Sequence, residues 1–152
     1  MRVVRIFGEG EGGPEPTDRV VLAHHERRVR RRRLETEGGG AAMIDLPHAR
    51  TLRDGDRLVG EDGRSVLVVA AHEPLMEVTA RDARHLALLA WQIGNRHLPA
   101  QIEATLIGAG RILLARDRVI ADMLRGLGAA VREIEGPFTP EAGAYGDHHH
   151  AH

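Results

Sequence analysis

Two histidine features lie far apart in the chain and are best explained together. One is the single histidine of Gly94-Asn95-Arg96-His97-Leu98-Pro99, and the other is the closing cluster Asp147-His148-His149-His150-Ala151-His152. A lone imidazole holds a transition metal poorly. Several imidazoles with no thiolate nearby suit nickel, copper or zinc and leave calcium and magnesium without oxygen ligands. The candidate metal ligands are therefore His97, His148, His149, His150 and His152, and the chain reads first as a metal binder. Ala151 interrupts the terminal run, which never reaches six consecutive histidines, so it reads as a native tail rather than a purification handle.

Composition narrows the chemistry further. The chain has 152 residues and no cysteine, which excludes disulfides, thiolate zinc sites and cysteine nucleophiles and leaves nitrogen and oxygen to hold any metal. The one serine, Ser65, falls inside a strand candidate, and there is no phosphate-cradling glycine loop of the Walker type. No catalytic residue and no organic-cofactor site is expected, so the protein is read as a non-enzyme. All 21 basic residues are arginine, a bias that a G and C rich genome explains, and the net charge is only -1. The first residues, Met1 to Gly8, are too short for a secretory apolar region, and no apolar run reaches the ~18 residues that span a bilayer. A cytoplasmic protein without a membrane partner is the expectation.

The elements that must position these ligands fall into two patterns. Arg19–His24 and Ser65–Ala71 read as strands, Asp54-Gly55 and Asp62-Gly63 as turns, so residues 1–75 are expected to form a small all-β domain. The period then becomes helical. Thr79 is a plausible N-cap, with Leu86, Leu89, Ala90 and Ile93 on one face and Gly94 as the stop. Strand candidates at 75–78, 101–107, 111–114 and 130–134, with a second helix at 118–125, give the order βαββαβ over residues 76–137. That order is the split βαβ arrangement of a ferredoxin-like domain, so the fold class is α+β. Residues 138–152 lack periodicity and read as a flexible His-containing tail.

Other features weigh less. The run Arg27-Arg28-Val29-Arg30-Arg31-Arg32-Arg33 would suit RNA, but no aromatic residue stands near it to stack a base; a solvated strand face or a patch for an acidic protein surface fits better. His24, His25, His48 and His72 have no defensible ligand spacing and read as surface residues, and His85 as helix surface.

The motifs together resemble one family. Gly94-Asn95-Arg96-His97-Leu98-Pro99-Ala100-Gln101-Ile102 is similar to the signature of the UreE urease accessory proteins, and the similarity continues through Asp45-Leu46-Pro47, Leu52-Arg53-Asp54-Gly55-Asp56, Asp122-Met123-Leu124-Arg125-Gly126-Leu127-Gly128 and Pro137-Phe138-Thr139-Pro140-Glu141-Ala142-Gly143-Ala144-Tyr145-Gly146. This resemblance implies a homodimeric nickel metallochaperone delivering Ni(II) for assembly of the urease active site, with Zn(II) or Cu(II) able to occupy the same ligands. It implies an N-terminal domain like the peptide-binding domain of heat-shock co-chaperones, and as partners the urease apoprotein and its accessory proteins, including the GTPase UreG. Some relatives carry a His-Asp-His pattern where this chain reads Arg116-Asp117-Arg118, which puts an auxiliary metal site there in doubt. Many show a histidine where this chain has Gln92, so no role is assigned to it. The alternatives are a His-rich metal buffer without specific delivery and an Arg-rich RNA-binding adaptor.

Overall fold

The computed structural model describes residues 1–105 and 110–143 and shows a mixed α+β chain made of two compact units, one holding Met1–Ala71 together with the described residues Ala142 and Gly143, the other His72–Glu141. The histidines His148, His149, His150 and His152 lie outside the described residues. Among the described residues no helix is long and apolar enough to cross a membrane.

The N-terminal unit is all β apart from a single 3-10 turn at His24–Glu26. Strands β1 (Val3–Phe7), β2 (Asp18–Leu22), β5 (Arg57–Gly60) and β6 (Ser65–Ala70) form a sheet in the order β1-β5-β6-β2, with β2 parallel to β6. Strands β3 (Arg28–Glu35) and β4 (Ala41–Thr51) form a separate antiparallel ribbon. Val20, Leu22, Val29, Leu34, Ile44, Leu58 and Val68 close the core between them. Arg28 to Arg33 of the arginine run are thus part of one ribbon strand whose Val29 and Leu34 point inward while Arg28 and Arg30 to Arg33 stay exposed; Arg27, expected on the same solvated face, is instead buried and donates from Nη1 to the Leu22 carbonyl at 3.1 Å. Local acids answer part of its charge: Arg31 meets Asp45 at 3.1 Å, Arg33 meets Glu35 at 3.2 Å, and Arg32 lies 3.9 Å from Glu26.

The second unit has the order β7 (His72–Thr79), α1 (Ala83–Asn95), β8 (Ala100–Glu103), β9 (Arg111–Ala115), α2 (Arg118–Gly126), β10 (Ala130–Pro137). Its sheet runs β10-β7-β9-β8 with every neighbour antiparallel. Side chains alternate across a strand. Met76, Val78, Ile112 and Leu114 accordingly face α1 and α2 through Leu86, Leu89, Ile93, Ile120 and Leu124, while Leu75 and Leu113 face the other way and meet Phe138. Gly110 enters β9 where a Cβ would lie 2.6 Å from Leu86 Cδ2 and 2.8 Å from the Glu103 carbonyl oxygen, so any larger residue would push the sheet from the helix.

Three local expectations need correction. Thr79 does not cap α1, because its backbone belongs to the β7 ladder opposite Ala130 and Arg111; Asp82 is the cap, accepting from His85 N at 2.7 Å. The chain from residue 138 is not tether from its first residue: Phe138 is fully buried, and Thr139 and Glu141 are hydrogen-bonded to β8. His85 is not helix surface. It is 3% exposed, its Nδ1 accepts from Arg81 N at 3.0 Å, and its Nε2 lies 2.9 Å from the Leu127 carbonyl, which makes it a neutral ring with the proton on Nε2.

Candidate metal centre

His97 follows α1 in a position that its chemistry alone does not favour. Helices end well when the residue after the cap adopts the left-handed conformation, a role usually given to glycine because a side chain there costs energy. In α2 the pattern is the ordinary one: Leu127 is the cap, Gly128 has φ +88, Gly128 N donates to Arg125 O at 2.9 Å, and Ala129 N donates to Leu124 O at 3.1 Å. In α1 the equivalent residue is His97. Arg96 is the cap, His97 has φ 56, and His97 N donates to Gly94 O at 3.0 Å. Gly94, expected to be the stop, is instead inside the last turn. Among the described residues His97 is the one non-glycine with positive φ. A strained backbone retained under an exposed side chain points to use of that side chain.

The surface beside it is apolar. Leu88 and Trp91, 45% and 63% exposed, lie three residues apart on the face of α1 away from the core, and this face runs on to Asn95 and the His97 turn. Ile102, at 40%, is exposed on edge strand β8. The imidazole of His97 is exposed, as a ligand open to an incoming ion must be, and the described residues place no second candidate ligand from the sequence reading beside it.

The Arg116-Asp117-Arg118 segment is tied into the fold. Asp117 caps α2 by accepting from Ile120 N at 3.0 Å, and Arg116 donates to the carbonyls of Leu75 and Ile134. On the sheet face without helices, Glu77 meets Arg111 at 2.7 Å and Arg132 at 2.9 Å, and Arg111 also pairs with Glu103. The hydrogen bond from Arg111, helped by the charge of Arg132, holds the Glu77 carboxyl below its usual range. These groups clamp β7, β9, β8 and β10 to one another.

Two features of the N-terminal unit escaped sequence reasoning. His24 and His25 meet edge to face with ring centroids 5.5 Å apart, in a turn that no periodic signal announces. The β3–β4 register shifts between Val29 and Arg31, and the resulting bulge at Leu46, Pro47, His48 and Ala49 lines a cleft of about 840 Å³ with Arg50 and Asp56. Burial pushes the Asp56 carboxyl up, against the Arg53 backbone bond and Arg50 at 3.9 Å.

Residues 4–71 match the family model described as UreE urease accessory protein, N-terminal domain, and residues 73–152 match the C-terminal domain. The chain belongs to the UreE family of urease accessory proteins. It is 51% identical to the urease accessory protein UreE of Mesorhizobium japonicum over 97% of this chain and 74% of that protein. The Bradyrhizobium sp. UreE is 47% identical over the whole of this chain and 70% of its own length. The Agrobacterium fabrum UreE is also 47% identical, over the whole of this chain and 89% of its own. The two UreE family matches meet at Ala71 to Glu73, where the two compact units also divide.

Proposed function

We propose that this protein is a cytoplasmic, non-enzymatic nickel carrier for urease maturation, acting as a homodimer in which His97 of two protomers holds one Ni(II) between them. The observation that carries the reading is the strained, exposed His97 at the end of a helix whose outer face presents Leu88 and Trp91. An isologous contact through that face supplies two converging imidazoles from one residue per chain. Two imidazoles underfill a nickel sphere, and His148, His149, His150 and His152 supply the remainder at the high effective concentration of a tether. Zn(II) and Cu(II) fit the same donors, copper at least as tightly, so delivery of nickel rests on availability and partners. Residues 72–141 are assigned to the ferredoxin-like type on their βαββαβ order. The N-terminal unit, with its arginine ribbon and bulge-lined cleft, is the docking face for the urease apoprotein and its accessory proteins, including the GTPase UreG. Ligand exchange at a partly filled site is what a carrier needs, since the ion must leave again.

Calorimetric nickel titration of the intact chain, His97→Ala and a chain ending at Gly146, with sedimentation of each and of Leu88→Glu/Trp91→Glu, tests this. His97→Ala should abolish the tightest site, truncation should lower stoichiometry and leave the dimer intact, and the double glutamate variant should sediment as a monomer without the tight site. Equal tight binding by the first three proteins would overturn it.

A further inference from the structure

The outer face of the N-terminal unit carries an apolar pair set among arginines. Val3, Leu34, Ala42 and Ile44 all enter the core, and side chains alternate along a strand. Arg2 and Val4 beside one another on the first strand, Met43 and Asp45 on β4, and Arg31 and Arg33 on β3 therefore project from the opposite side. Arg2 bridges to Met43, whose N donates to the Met1 carbonyl at 2.8 Å, and across the ribbon Met43 pairs with Arg33 and Asp45 with Arg31. One row over this surface thus reads Arg2, Met43, Arg33, and the next reads Val4, Asp45, Arg31. Val4 is 60% and Met43 45% exposed. They stand one interstrand step and two residues apart, about 8 Å.

Single exposed apolar residues are ordinary, whereas two neighbours enclosed by arginine have the composition of a contact surface, in which Met and Arg are enriched. Three arginines have two acids between them: Arg31 meets Asp45 at 3.1 Å, Arg33 meets Glu35 at 3.2 Å, and among the described residues Arg2 has no acidic partner. Ion pairs this exposed contribute little, so an incoming carboxylate replaces Asp45 or Glu35 at small cost. A nucleic acid would use the arginines and leave Val4 and Met43 in water, and none of the six residues is an aromatic on which a base could stack.

We propose that this face is a docking surface for an extended acidic segment of a partner protein, which seats two apolar side chains on Val4 and Met43 and its carboxylates on Arg2, Arg31 and Arg33. The inference rests on the reading that the N-terminal unit docks urease components, and says which surface does so. Alternate side chains of an extended chain lie about 6.7 Å apart on one side, close to the separation of Val4 and Met43. The segment recognised therefore has apolar residues at i and i+2 with acids on either side.

The probe is the synthetic peptide Glu-Glu-Leu-Ser-Leu-Glu-Glu, titrated into the intact chain while backbone amide shifts are followed by NMR, which registers weak binding. Saturable shifts are expected at Val4, Met43, Arg31 and Arg33. Arg31→Glu/Arg33→Glu should bind the peptide about tenfold more weakly, and Val4→Thr/Met43→Gln about fivefold more weakly. The four positions are exposed, so both variants should unfold as the wild type does. Replacing both leucines of the peptide by serine should cost the wild type the same fivefold and cost Val4→Thr/Met43→Gln nothing further. A peptide that moves none of these amides overturns the proposal, as does equal binding of the serine peptide, which marks charge alone. Tighter binding of oligouridylate than of the peptide, lost only in the arginine variant, assigns the face to nucleic acid and overturns it too. Purified urease apoprotein, tested on the same proteins, should be captured by the wild type and lost in both variants. Equal capture by Arg31→Glu/Arg33→Glu overturns the patch and leaves docking of urease standing, while no capture by a wild type that still binds the peptide removes urease as the partner and upholds the surface.

Discussion

Replacing His97 by glycine should make the protein more stable and remove the nickel site proposed for it. The backbone at His97 has φ 56, where an L side chain costs about 1–2 kcal/mol. Glycine relieves that cost but gives back roughly 0.5–1 kcal/mol through its freer unfolded chain. The net gain is about 0.5–1 kcal/mol. The turn keeps its hydrogen bond from residue 97 N to Gly94 O, since the donor is backbone. In a unit of this size a gain of 1 kcal/mol raises the melting point by about 4–8 °C, so the transition of the C-terminal unit should move up by roughly 3–6 °C. His97→Ala retains the strained backbone and provides the control, with no such rise. Scanning calorimetry of metal-free protein, with chelator present to remove linkage from bound ion, measures both. A glycine variant no more stable than the alanine variant would refute the claim that strain is stored at this turn.

His85→Ala should cost about 2–4 kcal/mol, because it leaves Arg81 N and the Leu127 carbonyl without their buried ring partner and opens a void, and denaturant unfolding of the C-terminal unit reads it. Glu77→Gln should cost about 1–2 kcal/mol at pH 7, given that its side chain is 13% exposed but its arginine partners are more so. A carboxyl held low when folded contributes stability above its ordinary value of 4.5 and loses it as pH falls through the folded value, so the gap between wild type and Glu77→Gln should shrink as unfolding is measured further below about pH 4.5.

The α+β class and the element order were legible because two periods alternate plainly along the chain: β-rich runs bounded by Asp-Gly turns, then Leu86, Leu89 and Ile93 at helical spacing. What failed was whatever a distant partner decides. Thr79 and Asp82 both have cap chemistry, and only the pairing of Thr79 with Ala130 and Arg111 removes the first from contention. His85 looks like helix surface until Leu127, 42 residues on, supplies a carbonyl for its ring. Phe138 sits in a stretch of Pro and Gly that reads as tether, yet Leu75 and Leu113 bury it from two other strands. At the candidate site the sequence offered His97 as a ligand but not its backbone: Gly94 offered an obvious stop, so nothing marked His97 as the left-handed residue.

The comparison between the two helix ends carries the functional argument further than the motif does. Both helices of the C-terminal unit need a left-handed residue at the same point, and α2 meets the need with Gly128 at no steric cost. Had stability alone been served, α1 would end the same way. It ends instead on a histidine whose ring is exposed and is not itself part of the core, so the cost of its backbone is met by the packing of Leu86, Leu89 and Ile93 beneath it. The backbone that carries the imidazole is fixed at a helix end by the bond from His97 N to Gly94 O. In the nickel carrier proposed above, a ligand so placed needs little ordering when an ion arrives.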